Sequence, residues 1–222
     1  MPYWSLLHNI SIIQNFLQVM KQTDLTLIEQ MRITDFDVEH RKQLFELSDE
    51  GAQLLKNIKG EIEERLDQLI DEFYQEQTSI REIALIIGDA GTLEKLKNAQ
   101  RRYVSSLFSG IYDIEYVSNR LRIGLVHKRV GVKSTLYLSA VHSLKELLMR
   151  IIEEVVPDDA QCAETQQALE QLFMFDVSLV FETYITSLVS EINSSMEKSE
   201  EYAHTLEQKV RERTRQLEEE RK

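Results

Sequence analysis

Residues that end helices are rare in this chain, which has 7 glycines and 2 prolines among 222 residues. Apolar side chains recur three or four positions apart over long stretches, as at Leu54, Ile58, Ile62, Leu69 and Phe73. That spacing is typical of amphipathic helices, and no stretch stands out with the two-residue alternation of a strand. The sequence therefore predicts an all-α fold.

Breaking and capping residues predict where individual helices begin and end. A break is expected near Gln77–Ile80, and Thr92 is expected to cap the helix that follows. Asp113 is expected to cap another helix. A long helix over about residues 134–156 then stops at Pro157, because proline lacks the backbone N–H that a helix interior needs.

The last predicted helix carries a heptad pattern with spacings of four and three residues. Its positions are Ile185, Val189, Ile192, Met196, Ser199, Ala203, Leu206, Val210, Arg213 and Leu217. From Met196 onward almost all other positions are charged, so an isolated helix of this composition would be only marginally stable. We therefore expect two copies of the chain to pair here as a homodimeric coiled coil.

Composition excludes several classes of protein. The net charge of -12 argues against a nucleic-acid binder, because a phosphate backbone attracts a basic surface. No uninterrupted apolar run reaches the roughly 18 residues that span a bilayer, and no signal peptide is evident, so no membrane association is expected. Cys162 is the single cysteine, which fits a reducing cytoplasm. The sequence thus favours a cytoplasmic protein.

Nothing in the sequence predicts an enzyme. Five histidines occur, at His8, His40, His127, His142 and His204. None stands three or four residues from another, so a multi-histidine zinc site on one helix has no support. The chain also lacks a glycine-rich phosphate loop, a nucleophile motif and an acid–base pair. We therefore expect a regulatory or binding module without catalytic residues.

One histidine has unusual neighbours, in the segment RLRIGLVHKRVG. Gly124 and Gly131 lie one turn before and after His127, while Ile123 and Val130 share its helix face. A flat cofactor needs small residues near its ring, apolar neighbours and one imidazole nitrogen aimed at a metal. The alternative is a buried histidine that is satisfied by a backbone carbonyl, which is the commoner state of a lone histidine in a helix.

The stretch LFSGIYDIEYVSNRLRIGLVHKRVGV, with Tyr137 after it, resembles the globin-coupled sensor family. In that family the pattern R-x-x-I-G-x-x-H-x-R-[IV]-G carries the proximal haem histidine. The resemblance covers about residues 35–190 and implies a globin-like domain that binds haem b through His127 as iron ligand. Tyr103 departs from the tryptophan of many members, and Lys133 and Ser134 stand where a proline often occurs.

The resemblance also implies the remaining cofactor-binding residues. Tyr74 falls at the position of the distal tyrosine, and Leu96 and Ala99 fall on the helix above the distal side. Many relatives have a second hydroxyl at the position of Ala99. Ile123, Val130 and Tyr137 complete the predicted set. The alternative for Tyr74 is a core aromatic with its hydroxyl at the surface, and the alternative for Leu96 and Ala99 is simple core packing.

A single axial histidine leaves the sixth iron position open to a diatomic gas such as oxygen, carbon monoxide or nitric oxide.

The predicted organisation is an amphipathic helical extension over residues 1–30, a globin sensor domain over 31–192 and a coiled-coil signalling linker over 193–222. The resemblance implies a helical dimer interface and an output domain outside this chain, a histidine kinase or diguanylate cyclase. Two alternatives stay open: a haem-free globin-like interaction module of a signalling scaffold, and a bare helical dimerisation domain with a structural His127.

Overall fold

The computed structural model describes residues 26–220. Within that range it contains helices only, which confirms the all-α prediction. In chain order they are α1 (Leu27–Met31), α2 (Asp35–Leu44), α3 (Asp49–Asn57), α4 (Lys59–Ser79), α5 (Arg81–Ile87), α6 (Ala90–Leu107), α7 (Ile114–Arg129), α8 (Ser134–Val155) and α9 (Asp159–Glu220). The predicted extension over residues 1–30 lies mostly outside the described residues.

Side-chain caps set the starts of α6 and α7. Asp113 caps α7 as predicted, because its carboxylate accepts from the backbone N–H groups of Glu115 and Tyr116. The prediction for α6 was wrong by three residues. Asp89 is the cap, and its Oδ1 accepts from the Thr92 N–H at 2.9 Å, so Thr92 is the helix residue that donates to the cap.

The chain forms two compact units, residues 1–181 and 182–222, of which residues 26–181 and 182–220 are described. In the first unit α4 packs against α6 and α8. Asp71 accepts from Lys97 at 2.6 Å and Asp67 from Arg101 at 2.7 Å, which sets an antiparallel register between α4 and α6. On the other side of α4, Glu72 accepts from Arg150 of α8 at 2.7 Å.

A buried charged network joins α6, α7 and α9. Asp176 Oδ2 accepts from Arg120 Nε at 2.7 Å, from the Tyr103 hydroxyl at 2.9 Å and from the Tyr116 hydroxyl at 3.1 Å. Arg120 also donates to Ser106 Oγ at 2.8 Å and stacks on both tyrosine rings. Burial lowers the pKa of Arg120, but the negative charge of Asp176 and the interactions with Tyr116 and Tyr103 together outweigh it, so the pKa ends above its ordinary value. The network therefore holds three helices together through one carboxylate.

Residues 182–220 continue α9 as the second unit. The predicted heptad residues from Ile185 to Leu217 include large apolar side chains that are exposed in the single chain, such as Ile192 and Val210. By length and composition alone α9 could cross a membrane, since a window of 18 residues within Asp159–Leu217 reaches a mean hydropathy of 1.5. The same helix supplies Leu169 and Phe175 to the core, and core helices pass this test, so it is weak evidence for a span.

Candidate cofactor site around His127

His127 lies in the last turn of α7, and its Nδ1 is 2.9 Å from the backbone oxygen of Ile123. A carbonyl oxygen can only accept, so Nδ1 carries the proton and Nε2 keeps its lone pair. No described residue hydrogen-bonds Nε2. Burial lowers the pKa of the imidazole below its ordinary value, which keeps the ring neutral at pH 7. The ring is therefore in the protonation state that a metal ligand requires.

The chain reverses directly after this histidine. Gly131 has φ +78°, and its N–H donates to the Lys128 carbonyl at 3.1 Å. The next N–H, from Val132, donates to the His127 carbonyl at 2.9 Å. A Cβ on Gly131 would meet no neighbour, so this glycine is needed for its backbone conformation. The sequence predicts Gly131 both as the residue that ends this helix and as a small residue near a ring, and the structure confirms the first role.

Tyr137, near the start of α8, faces the imidazole. The two ring centroids are 5.3 Å apart at an interplanar angle of 67°, an edge-to-face contact. Tyr137 is buried and also contacts the ring of Phe181 at 6.3 Å. Together with the Ile123 carbonyl, this contact fixes the orientation of the His127 ring.

Tyr74 lies on the buried face of α4, where its ring contacts Phe73 edge-to-face at 5.1 Å. Burial raises the pKa of its phenol above the ordinary value, so the hydroxyl stays protonated and is a hydrogen-bond donor. No hydrogen bond joins this hydroxyl to a described residue. The side chain is 8% exposed and its hydroxyl is not fully buried, so the structure also fits the alternative of a core aromatic whose hydroxyl reaches the surface.

The two predicted residues on α6 differ in exposure. Leu96 is half-buried and packs against the core, whereas Ala99 is exposed, so core packing does not account for Ala99. The ion pairs between α4 and α6 place Tyr74 at the height of Glu94, within about one turn of Leu96. Ile123 and Val130 on α7 are both half-buried.

Helices α6 and α7 meet where Arg120 stacks on Tyr103, 4.4 Å from the ring centroid. Leu96 precedes Tyr103 by seven residues and His127 follows Arg120 by seven residues, so each lies about 10 Å from this junction. The structure thus brings His127, Ile123 and Tyr137 into contact and places Tyr74 and Leu96 on neighbouring helices.

No three His, Cys, Asp or Glu side chains cluster as a metal site within residues 26–220. A metal held at His127 would therefore need ligands other than a cluster of these side chains, as in a cofactor that supplies its own.

A family model described as Protoglobin matches residues 34–190. The chain belongs to the protoglobin family. The match includes every predicted site residue and supports the resemblance to globin-coupled sensors that the RLRIGLVHKRVG segment indicated.

Two relatives place this protoglobin among sensor proteins. The Heme-based aerotactic transducer HemAT of Halobacterium salinarum is 26% identical over 192 residues, which cover 81% of this chain and 39% of the transducer. This chain therefore spans about two fifths of that relative. The globin domain of a Geobacter sulfurreducens globin-coupled sensor superposes with a TM-score of 0.63 at 27% identity, covering 66% of this chain and 96% of that domain.

Two features of this protoglobin were missed from the sequence. Gln77, one turn after Tyr74 on α4, is 3% exposed, and neither its Nε2 nor its Oε1 has a hydrogen-bond partner. The second is the ion pair of Arg120 with Asp176, 56 residues apart in sequence. Arg120 was noticed only as part of the motif. No local signal marks Asp176, apart from a lone carboxylate within an otherwise apolar stretch of α9.

Proposed function

We propose that this protoglobin domain is a cytoplasmic haem-based gas sensor that holds haem b through His127 and responds to oxygen. The observation that carries the proposal is the state of the His127 ring: Nδ1–H is engaged by the Ile123 carbonyl and the neutral Nε2 is left to bind iron. The relative from Halobacterium salinarum is itself described as a heme-based transducer.

The residues around His127 suit a haem. Ile123, Val130 and Leu96 are half-buried apolar side chains, and Tyr137 stacks against the imidazole from the side. When bound, haem iron with one axial histidine supplies a vacant coordination position that takes a diatomic gas. Tyr74 is the residue proposed to donate a hydrogen bond to that gas, because burial keeps its phenol protonated. Oxygen is favoured as ligand because it accumulates negative charge, which a phenol donor stabilises.

The path of the signal is proposed to run along α7 and α9. Arg120 lies on the same helix as His127, two turns earlier, and Asp176 connects it to α9. Helix α9 continues into the exposed heptad residues, which we propose pair with those of a second copy. The output domain, a histidine kinase or diguanylate cyclase, would follow outside this chain. Sensor globin domains are regulatory, so no catalytic residue is assigned here.

Absorption spectroscopy tests the proposal directly. The purified protein, expressed with a haem precursor, is expected to show a Soret band that shifts on reduction and again on addition of carbon monoxide. His127→Ala is expected to lose the band, because the only proposed axial ligand is gone.

His142→Ala is the matched control, since His142 is an exposed histidine of the neighbouring helix α8. A wild-type protein that stays colourless but still dimerises would refute the sensor proposal and support the haem-free interaction module.

A further inference from the structure

Gln77 is the buried polar side chain of α4 that the proposed function leaves without a role. Gln77 is 97% buried, and neither its Nε2 nor its Oε1 has a hydrogen-bond partner among the residues that the structure describes. Native proteins rarely bury an amide without partners, because the group loses its hydrogen bonds to water and gains none. The amide therefore calls for a partner that is not part of the protein chain.

The position of Gln77 on α4 indicates where that partner lies. The α4 residues Asp67 and Asp71 face α6, and Glu72 faces α8. A helix turns by about 100° per residue. Around the axis of α4, Gln77 therefore lies roughly 80–120° from Asp67 and Asp71 in one direction and 140° from Glu72 in the other direction. Its side chain thus projects between α6 and α8, into the interior of the globin unit.

Tyr74 shares this face of α4. It precedes Gln77 by three residues, which on a helix puts their Cβ atoms about 5–6 Å apart. Both side chains are buried, and both bring a hydrogen-bond donor that no described residue engages. Two unengaged donors one turn apart form a polar patch in a face otherwise lined by Ile70 and Phe73.

We propose that Gln77 is a second hydrogen-bond donor to the gas ligand beside Tyr74, an inference that rests on the proposed function. The Nε2–H group of Gln77 would act on the negative charge of the bound gas, as the Tyr74 hydroxyl does. In this chain Ala99 offers no hydroxyl from α6. The second donor would then come from α4 instead, so both donors would stand on one helix.

The test compares Gln77→Met with the wild type in the haem-loaded protein. Methionine has nearly the same length and no N–H, so the loaded variant is expected to release oxygen about tenfold faster, as expected for the loss of one hydrogen bond. The C–O stretch of bound carbon monoxide is expected to move to higher wavenumber, because the positive field at the ligand weakens. Gln77→Leu is expected to show the same faster oxygen release and the same shift of the C–O stretch.

The unfolding temperature of the haem-free protein tests whether the Gln77 amide is buried without a partner. The haem-free Gln77→Met protein is expected to unfold about 2–4 °C above the wild type, since the variant no longer buries unpaired polar atoms. Gln75→Met is the matched control, because Gln75 is exposed on the same helix and should leave all three measurements unchanged.

Unchanged oxygen release and an unchanged C–O stretch in Gln77→Met would overturn the inference while leaving the sensor proposal intact. A lower unfolding temperature of the haem-free variant would also overturn it, because Gln77 would then have a partner within the protein. A wild-type protein without a Soret band would refute both the inference and the proposed function.

Discussion

Two polar clusters lie inside the globin unit, and they differ in how completely their hydrogen bonds are made. Near the middle of α7, Arg120 and Asp176 form a network in which Asp176 Oδ2 takes three donors and only its Oδ1 is without a partner. In the last turn of α7 His127 Nε2 is unengaged, and on α4 Tyr74 and Gln77 carry donors that no described residue engages; we propose that these three residues serve one ligand.

This difference in hydrogen bonding distinguishes polar residues that stabilise the fold from polar residues that are available to a ligand. A buried polar group that is satisfied within the chain stabilises one arrangement of helices, whereas an unsatisfied one reduces stability unless a ligand supplies the partner. On this view the Arg120 cluster holds the fold and the His127 cluster is adapted to a ligand. The two kinds of cluster should respond differently to mutation.

The largest expected effect is on the fold. Arg120→Met should lower the free energy of unfolding by about 3–5 kcal/mol, because it leaves the Asp176 carboxylate buried without its counter-charge. Urea denaturation of the haem-free protein measures this. The double variant Arg120→Met with Asp176→Leu should recover part of the loss. A single variant as stable as the wild type would remove the distinction between the clusters.

The next effect should fall on binding alone. Tyr74→Phe should speed oxygen dissociation about 10- to 100-fold, which corresponds to the roughly 1–3 kcal/mol of a hydrogen bond to a charged group. Stopped-flow release of oxygen measures it. The haem-free variant should unfold at about the wild-type temperature, because the hydroxyl bonds to no described residue. A large loss of stability with unchanged release would assign Tyr74 to the structural cluster.

The smallest effect concerns pH. Burial lowers the pKa of His127 in the folded state, so the unfolded chain takes up its proton first as pH falls. The contribution of the neutral imidazole to the free energy of unfolding is complete above the ordinary pKa near 6.5. Below that pH it is lost, by at most about 1.4 kcal/mol per pH unit. Unfolding of the haem-free protein between pH 7.5 and 5 measures the slope. His127→Leu should have a shallower slope, and an equal slope would contradict a buried neutral imidazole.

How far the sequence predicted this molecule depended on whether the deciding contact was local. The all-α fold followed from periodicity, and Asp113 was recognised as a cap because it bonds to N–H groups two and three residues away. Family resemblance marked His127. The choice between its two nitrogens needed the structure, since it depends on a carbonyl one turn earlier on the same helix.

Gln77 shows why other features of the site could not be predicted from the sequence. The break predicted near Gln77–Ile80 is confirmed, since α4 ends at Ser79 and α5 begins at Arg81, but Gln77 itself lies within α4. The hydroxyl of Thr78 donates to the Tyr74 carbonyl at 2.7 Å, and that of Ser79 to the Glu76 carbonyl at 2.6 Å, so these side chains bond within the helix. The sequence pattern indicated only the break, and it gave no sign that Gln77 belongs to the buried face of the helix.

The attachment of α7 at Arg120 has a mechanical consequence. Helix α7 extends from Ile114 to Arg129, so Arg120 divides it into two arms of about 9 and 14 Å. A stiff rod anchored at such a point can tilt more easily than it can slide. We therefore expect a displacement at His127 to be accompanied by a smaller, opposite displacement at Ile114, with Arg120 as the pivot.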